Sequence, residues 1–245
     1  MKTIFITSFS LLAAAIASAE NWPQFRGPTG MGVAEGDVPT QWSNASVAWK
    51  IELPGQGQSS AVNWGSKLFV TAASKGGGIR TLLCLDKETG KTLWRRDVAT
   101  KQKEALHKMN SWATPSAVTD GERVVAFFGP AGIHCFDMGG KKQWSKDLGE
   151  FPGNWGLAAS PVIEGDQLIQ NCDATGPSRL VSMDKKTGKL LWETKRDDKP
   201  RGGWSTPIMI KTKKGEQLVL NGEYGAKGYD LIKGNELWFC QSFNG

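Results

Sequence analysis

Side chains able to do covalent or metal chemistry are few in this 245-residue chain: Cys84, Cys135, Cys172 and Cys240, with His107 and His134 as the two histidines. No two cysteines are adjacent, and none forms a Cys-x-x-Cys pair, so neither a zinc ribbon nor a covalent haem is signalled. The histidines have no matching carboxylate motif, which leaves neither a zinc site nor a Ser-His-Asp triad. Gly-x-Ser-x-Gly, a P-loop and a dinucleotide fingerprint are absent as well. His134 lies within the strand-like run Ile133-His-Cys-Phe136 and reads as a satisfied strand residue, while His107 falls in the polar stretch 101–108, read as a loop or one helical turn. The sequence therefore assigns no catalytic, cofactor-binding or metal-binding residue. Four cysteines permit two disulfides in an exported chain without fixing any.

Binding chemistry is better represented. Asn110-Ser-Trp112 leads into Thr114-Pro115, Asn154-Trp155 into Ser160-Pro161, and Gly202-Gly-Trp204 into Thr206-Pro207. Three tryptophans thus stand at one phase of a repeat, with Asn110, Asn154 and Arg201 beside them. Indoles offer large rigid contact area with few rotatable bonds, so these six residues are a candidate rim for a peptide strand or a sugar. The same pattern also fits a packing role, in which each indole covers the top of its own module.

The elements that would position this rim repeat with a period of 45 to 50 residues, marked by Trp49, Trp94, Trp144, Trp192 and Trp238. The last four close one phrase: Asp86, Gly90 and Trp94; Asp137, Gly140 and Trp144; Asp184, Gly188 and Trp192; Asp230, Gly234 and Trp238. Ahead of each phrase run short β-type segments separated by turn formers such as Asp120-Gly121 and Lys214-Gly-Glu216. Opening strands are predicted at 114–118, 159–162 and 205–208, second strands at 123–128, 167–169 and 217–220. Four strands per module with a turn every eight to twelve residues indicate a β-propeller blade. The Asp ends the third strand, the Gly supplies a left-handed turn position, and the Trp on the fourth strand is expected to wedge into the seam between neighbouring blades. Cys84 and Cys135 hold the same place in adjacent blades, too far apart for a bridge, and read as small buried fillers.

This phrase resembles the tryptophan-docking motif of the PQQ-like propeller repeats, found in quinoprotein dehydrogenases and in the outer-membrane assembly lipoprotein of Gram-negative bacteria. The family's leading alanine is replaced by Cys84, Ser182 and Gly228, all small, and the likeness covers residues 47 to 240. The opening 21–30, Asn-Trp-Pro-Gln-Phe-Arg-Gly-Pro-Thr-Gly, is similar to the start of secreted members from planctomycete-type bacteria. The resemblance implies an all-β propeller and two classes of activity. A dehydrogenase would need pyrroloquinoline quinone and Ca²⁺, with an adjacent cysteine pair beside the cofactor; that pair is missing, so no cofactor is expected. An assembly factor would instead engage a protein or peptide partner in the envelope, through β-augmentation of exposed strand edges.

Residues 1–19, with Lys2, an apolar run and the close Ala17-Ser-Ala19, are expected to be a signal peptide cleaved after Ala19, giving a periplasmic or secreted protein without a membrane span. No cysteine follows that site to carry a lipid anchor. An N-terminal extended segment, 20–46, then precedes propeller repeats over 47–245, with blades at approximately 54–96, 97–146, 147–194 and 195–240. That makes four complete blades plus one N-terminal outer strand ending at Trp49, expected as an incomplete ring with two raw blade faces, a four-bladed ring being the alternative. The net charge of +6 is spread over isolated turn lysines, with no basic stripe to suggest nucleic acid.

Overall fold

Apolar residues alternate with polar ones in short runs along this chain, and in the computed structural model, which describes residues 21–36, 39–102, 104–196, 202–222 and 224–241, those runs become sixteen strands in four antiparallel sheets. Blade 1 comprises β1 (Val62–Trp64), β2 (Lys67–Ser74), β3 (Ile79–Asp86) and β4 (Thr92–Ala99). Blade 2 comprises β5 (Val118–Thr119), β6 (Arg123–Phe127), β7 (Ile133–Asp137) and β8 (Lys142–Lys146). Blade 3 holds β9 (Val162–Glu164), β10 (Gln167–Asn171), β11 (Arg179–Asp184) and β12 (Leu190–Lys195). Blade 4 holds β13 (Ile208–Thr212), β14 (Gly215–Asn221), β15 (Gly225–Tyr229) and β16 (Glu236–Gln241). The strands of each blade pair in chain order, as an all-β propeller demands. The proposed signal peptide lies outside the described residues.

The motif turn works through its aspartate. Asp86 Oδ1 accepts the Thr89 backbone N–H at 2.8 Å and the Thr89 hydroxyl at 2.7 Å, and Asp184 repeats both bonds with Thr187 at 2.8 Å. These bonds hold both carboxyls below the ordinary aspartate value, the threonine hydroxyl acting most strongly. Immediately after each turn the outer strand carries a β-bulge: Cys84 faces Trp94 but Leu85 faces Thr92, and the same slip recurs at Cys135/Phe136, Ser182/Met183 and Gly228/Tyr229. The extra residue, Leu93, Gln143, Leu191 or Leu237, is thrown outward, and the following Trp is aimed at the next blade.

Each seam has one recipe. The ring of Trp94 covers Gly140, that of Trp144 covers Gly188 and that of Trp192 covers Gly234, all so closely that a Cβ there would meet the indole at 2.4 to 2.7 Å. The three glycines also sit at φ of +83°, +69° and +70°, so two independent constraints select glycine. Each indole N–H then donates to a turn carbonyl of the next blade: Met138 at 3.1 Å, Lys185 at 3.1 Å and Leu231 at 3.0 Å. Beneath the indoles lie the cross-strand rows Val62–Phe69–Cys84 and Val118–Val125–Cys135, buried against blades 2 and 3. The fourth row, Ile208–Val219–Gly228–Trp238, is only partly buried, and Trp238 turns its N–H to Gln217 of its own blade at 2.8 Å.

Two expectations are modified. The face of blade 1 is not raw. Residues 47–49 run extended without a ladder partner, yet Trp49 donates to Lys87 O at 2.9 Å and lies over Gly90, and Ile51 joins Leu83 and Leu85. The opening strands begin later than the Thr-Pro and Ser-Pro dipeptides, because Pro115, Pro161 and Pro207 have no N–H to give a ladder. The residues ahead of them are held between blades instead. The Ser60 N–H donates to the Ser116 hydroxyl at 2.9 Å, Ser116 N–H to the Ser160 hydroxyl at 2.9 Å, and Ser160 N–H to the Thr206 hydroxyl at 3.0 Å. A strap, residues 21–32, crosses the inner strands: Trp22 pairs with Asn63, Pro23 O accepts Thr119 N–H at 2.8 Å, and Gly30 lies against Ile208.

Candidate ligand rim

Connections from one blade to the next carry the rim residues, and the structure separates them. Trp112 turns inward. Its N–H donates to Glu104 O at 3.2 Å, its ring lies 5.8 Å from the Arg80 guanidinium, and Gly77 packs on its face. Arg80 and Glu104 form a 3.0 Å ion pair with both side chains buried. Burial pushes the Glu104 carboxyl up against the pull of Arg80, and burial lowers Arg80 against the pull of Glu104. Trp112 therefore packs beneath the rim, as the covering role requires. Asn154 is exposed beside Trp155, and Arg201 lies outside the described residues.

Trp155 and Trp204 come together with Asn110. Trp155 is 52% exposed and stacks on His107, with centroids 4.3 Å apart and planes at 27°. Asn110 Nδ2 donates to Trp155 O at 2.7 Å, while its Oδ1 accepts the Ser111 N–H at 2.8 Å and the Thr114 hydroxyl. Trp204, 42% exposed, donates its N–H to Gly156 O at 2.9 Å; Gly202 gives its ring room. With Met109, which is 73% exposed, these side chains line an open hollow of about 350 Å³. The Trp204 indole is fixed by the hydrogen bond at its edge and the Trp155 indole by its stack on His107, and both leave ring surface exposed to it. His107 and Met109 were not legible as rim residues, since a polar stretch gives no sign that a ring one blade's length of chain later will stack on it. Trp204 also borders a second cavity of about 720 Å³, on the inner side of the arc, between the strap at Phe25, Arg26 and Met31 and the strand residues Ile208 and Ile210.

Other groups able to do chemistry are tied into the frame. His134 Nε2 bonds to Ala131 O at 2.8 Å, and burial lowers its pKa. Arg196 pairs with Asp173 at 2.7 Å, both fully buried, and meets the Tyr229 hydroxyl across the seam of blades 3 and 4. Burial pushes the Cys84 thiol to about 11, Cys135 to about 12 and Cys172 upward. All four cysteines are free, and Cys240 is exposed. Among the described residues no three His, Cys, Asp or Glu side chains are grouped to hold a metal ion, and no helix is long and apolar enough to cross a membrane.

The sequence model of the family described as outer membrane protein assembly factor BamB matches residues 33–168 and 80–241, two overlapping passes along the blades. The chain belongs to this family, PQQ_2. Its PQQ_2 repeats are also similar to two curated dehydrogenases. Polyvinylalcohol dehydrogenase of a Pseudomonas species is 25% identical, over 84% of this chain and 36% of its own. Lanthanide-dependent methanol dehydrogenase of Methylorubrum extorquens is 29% identical, over 42% of this chain and 18% of its own. Among solved structures, quinohemoprotein alcohol dehydrogenase ADHIIG from Pseudomonas putida HK5 shares the fold, with a TM-score of 0.55 at 11% identity over 79% of this chain and 35% of that one. The chain thus spans about a third or less of the length of these relatives. Membership in PQQ_2 agrees with the Asp, Gly and Trp roles seen at every seam.

Proposed function

We propose that this chain is a non-enzymatic binding or scaffolding repeat protein of the cell envelope or secreted space, holding a protein or peptide partner at the Trp155–Trp204 rim. One observation carries the reading: two indoles, Trp204 locked at its edge by Gly156 O and Trp155 held by its stack on His107, are left about half exposed side by side, where a purely structural indole would be covered. The buried ionisable groups serve the seams and loops, so the surface on offer is one for recognition. The family description supports an envelope setting, and residues 1–19 have the pattern of a cleaved leader. The test uses the full chain expressed in a Gram-negative host. N-terminal sequencing of the exported protein should begin at Glu20, and photo-crosslinking from a probe at position 109 should give adducts that Trp204→Ala abolishes. Adducts unchanged by that substitution, or retention of the protein in the cytoplasm, would overturn it.

Similarity to polyvinylalcohol dehydrogenase along most of the chain favours a second reading, a fragment of a quinone-dependent alcohol dehydrogenase. The donor set does not fit that cofactor: no cysteine pair is adjacent, and the described residues bring no three metal ligands together. Dye-linked alcohol oxidation after reconstitution with pyrroloquinoline quinone and Ca²⁺ would establish it.

A further inference from the structure

The rim cavity has an unusual balance of surfaces. At about 350 Å³ it is at the small end of ligand sites, which normally combine apolar walls with a few convergent polar groups that orient the ligand. Here most of those polar groups are spent. The Asn110 amide is used at both ends, by Trp155 O and by Ser111 N–H and Thr114; the Trp204 N–H is taken by Gly156 O; and His107 Nδ1 accepts the Met109 N–H at 3.3 Å. What remains is mainly ring face and thioether, with the Trp155 indole N–H and the second ring nitrogen of His107. A sugar would find stacking but only two ring nitrogens for its several hydroxyls, and a free small molecule would find little to fix its orientation.

Such a pocket suits a flat apolar group that is oriented by the rest of a larger molecule. Indole faces favour another aromatic ring in offset or edge contact, and a thioether adds a favourable ring-edge contact. One charge borders the site. Lys108, between the wall residues His107 and Met109, is exposed and forms no ion pair with a described residue. We infer that the pocket formed by His107, Met109, Trp155 and Trp204 receives one aromatic side chain of an extended polypeptide, with an acidic residue next to it meeting Lys108. This rests on the peptide-binding reading and gives it a chemical anchor.

The test uses the full chain and ¹⁹F NMR of synthetic probes. The probe is a polar twelve-residue peptide with 4-fluorophenylalanine at its centre between two aspartates. Comparison probes are the same peptide with lysines for the aspartates, the same peptide with trifluoroleucine for the aromatic residue, and free 4-fluorophenylalanine amide. The aspartate peptide is expected to bind best, with at least tenfold weaker binding of the free amide and the trifluoroleucine peptide. Trp204→Ala should weaken it by about thirtyfold, the scale of a truncated anchor contact. Because Trp204 also packs, Met109→Ser serves as a second variant; its side chain is mostly in water, so it should leave the melting curve unchanged and still weaken binding about tenfold. Equal binding of the free amide would overturn the inference in favour of a small-molecule site. Peptide binding untouched by either substitution would overturn the pocket while leaving peptide binding itself standing, and no binding by any peptide would overturn both.

Discussion

Replacing Trp192 by alanine should be far more damaging than the same change at Trp238, although both end the same phrase. Trp192 is 8% exposed, covers Gly234, and donates to Leu231 O, so its indole belongs to the seam of blades 3 and 4. A buried indole removes about 150 to 250 Å² from water, worth about 4 to 6 kcal/mol as an upper bound. Alanine retains the Cβ and the cleft partly relaxes, which leaves an expected loss of about 3 to 5 kcal/mol. Trp238 packs on Gly228 and donates to Gln217, both within blade 4, so its loss should cost about 1 kcal/mol. Trp192→Phe keeps most of the area and forfeits one hydrogen bond, about 1 kcal/mol. Urea unfolding of the purified chain, followed by far-ultraviolet circular dichroism, reads the difference. With an m-value of about 3 kcal/mol per molar, the Trp192→Ala midpoint should fall by more than about 1 M and the Trp238→Ala midpoint by about 0.3 M. Equal losses at the two positions would refute the idea that these indoles act between blades.

Gly140→Ala should destabilise by about 2 kcal/mol or more, since the new Cβ meets both an unfavourable left-handed backbone and the Trp94 ring at 2.7 Å; loss of near-ultraviolet dichroism from the indoles, with a lowered urea midpoint, checks it. Folded-state depression of the Asp184 pKa means that its stabilising contribution is complete above the ordinary aspartate range and is lost as pH falls through the lower folded value. In Thr187→Val the carboxyl should titrate at higher pH, read by carbon NMR, and acid unfolding should begin earlier. Native protein should titrate rapidly with one thiol reagent equivalent, at exposed Cys240, because burial keeps Cys84, Cys135 and Cys172 protonated and covered; denaturant should release all four. Removing the Ser116 hydroxyl with alanine leaves the Ser60 N–H without its acceptor and should cost about 1 to 2 kcal/mol in the same urea assay.

The spacing of five tryptophans made the blades legible, because a seam that recurs in space must recur in sequence. Asp and Gly of each phrase were readable for the same reason, their work being local to one turn. The bulge was not, although its product was in view: Leu93, Leu191 and Leu237 stand one residue before the Trp on a half-buried strand and point to solvent. Nor were the hydroxyls of Ser116, Ser160 and Thr206, whose acceptor role exists only once a neighbouring blade brings an N–H to them. At the rim, phase alone grouped Trp112 with Trp155 and Trp204. Their separation depends on the buried Arg80–Glu104 pair, a contact across 24 residues that draws one indole inward and leaves the other two facing out.

The inner hydroxyl series has a direction. At each junction the earlier blade gives a main-chain proton and the later one offers an oxygen, and at the outer edge the earlier blade gives an indole and the later one a glycine. Blades 2 and 3, which have a neighbour on both sides, therefore each carry one plug and one socket of each kind, in the same sense along the chain. A gene encoding such leaves can lose or duplicate one whole copy without any new junction having to be invented, because the two leaves brought into contact already fit. Stability should then grow stepwise with copy number, as in a one-dimensional array, and the cassette rather than the residue becomes the natural unit of change.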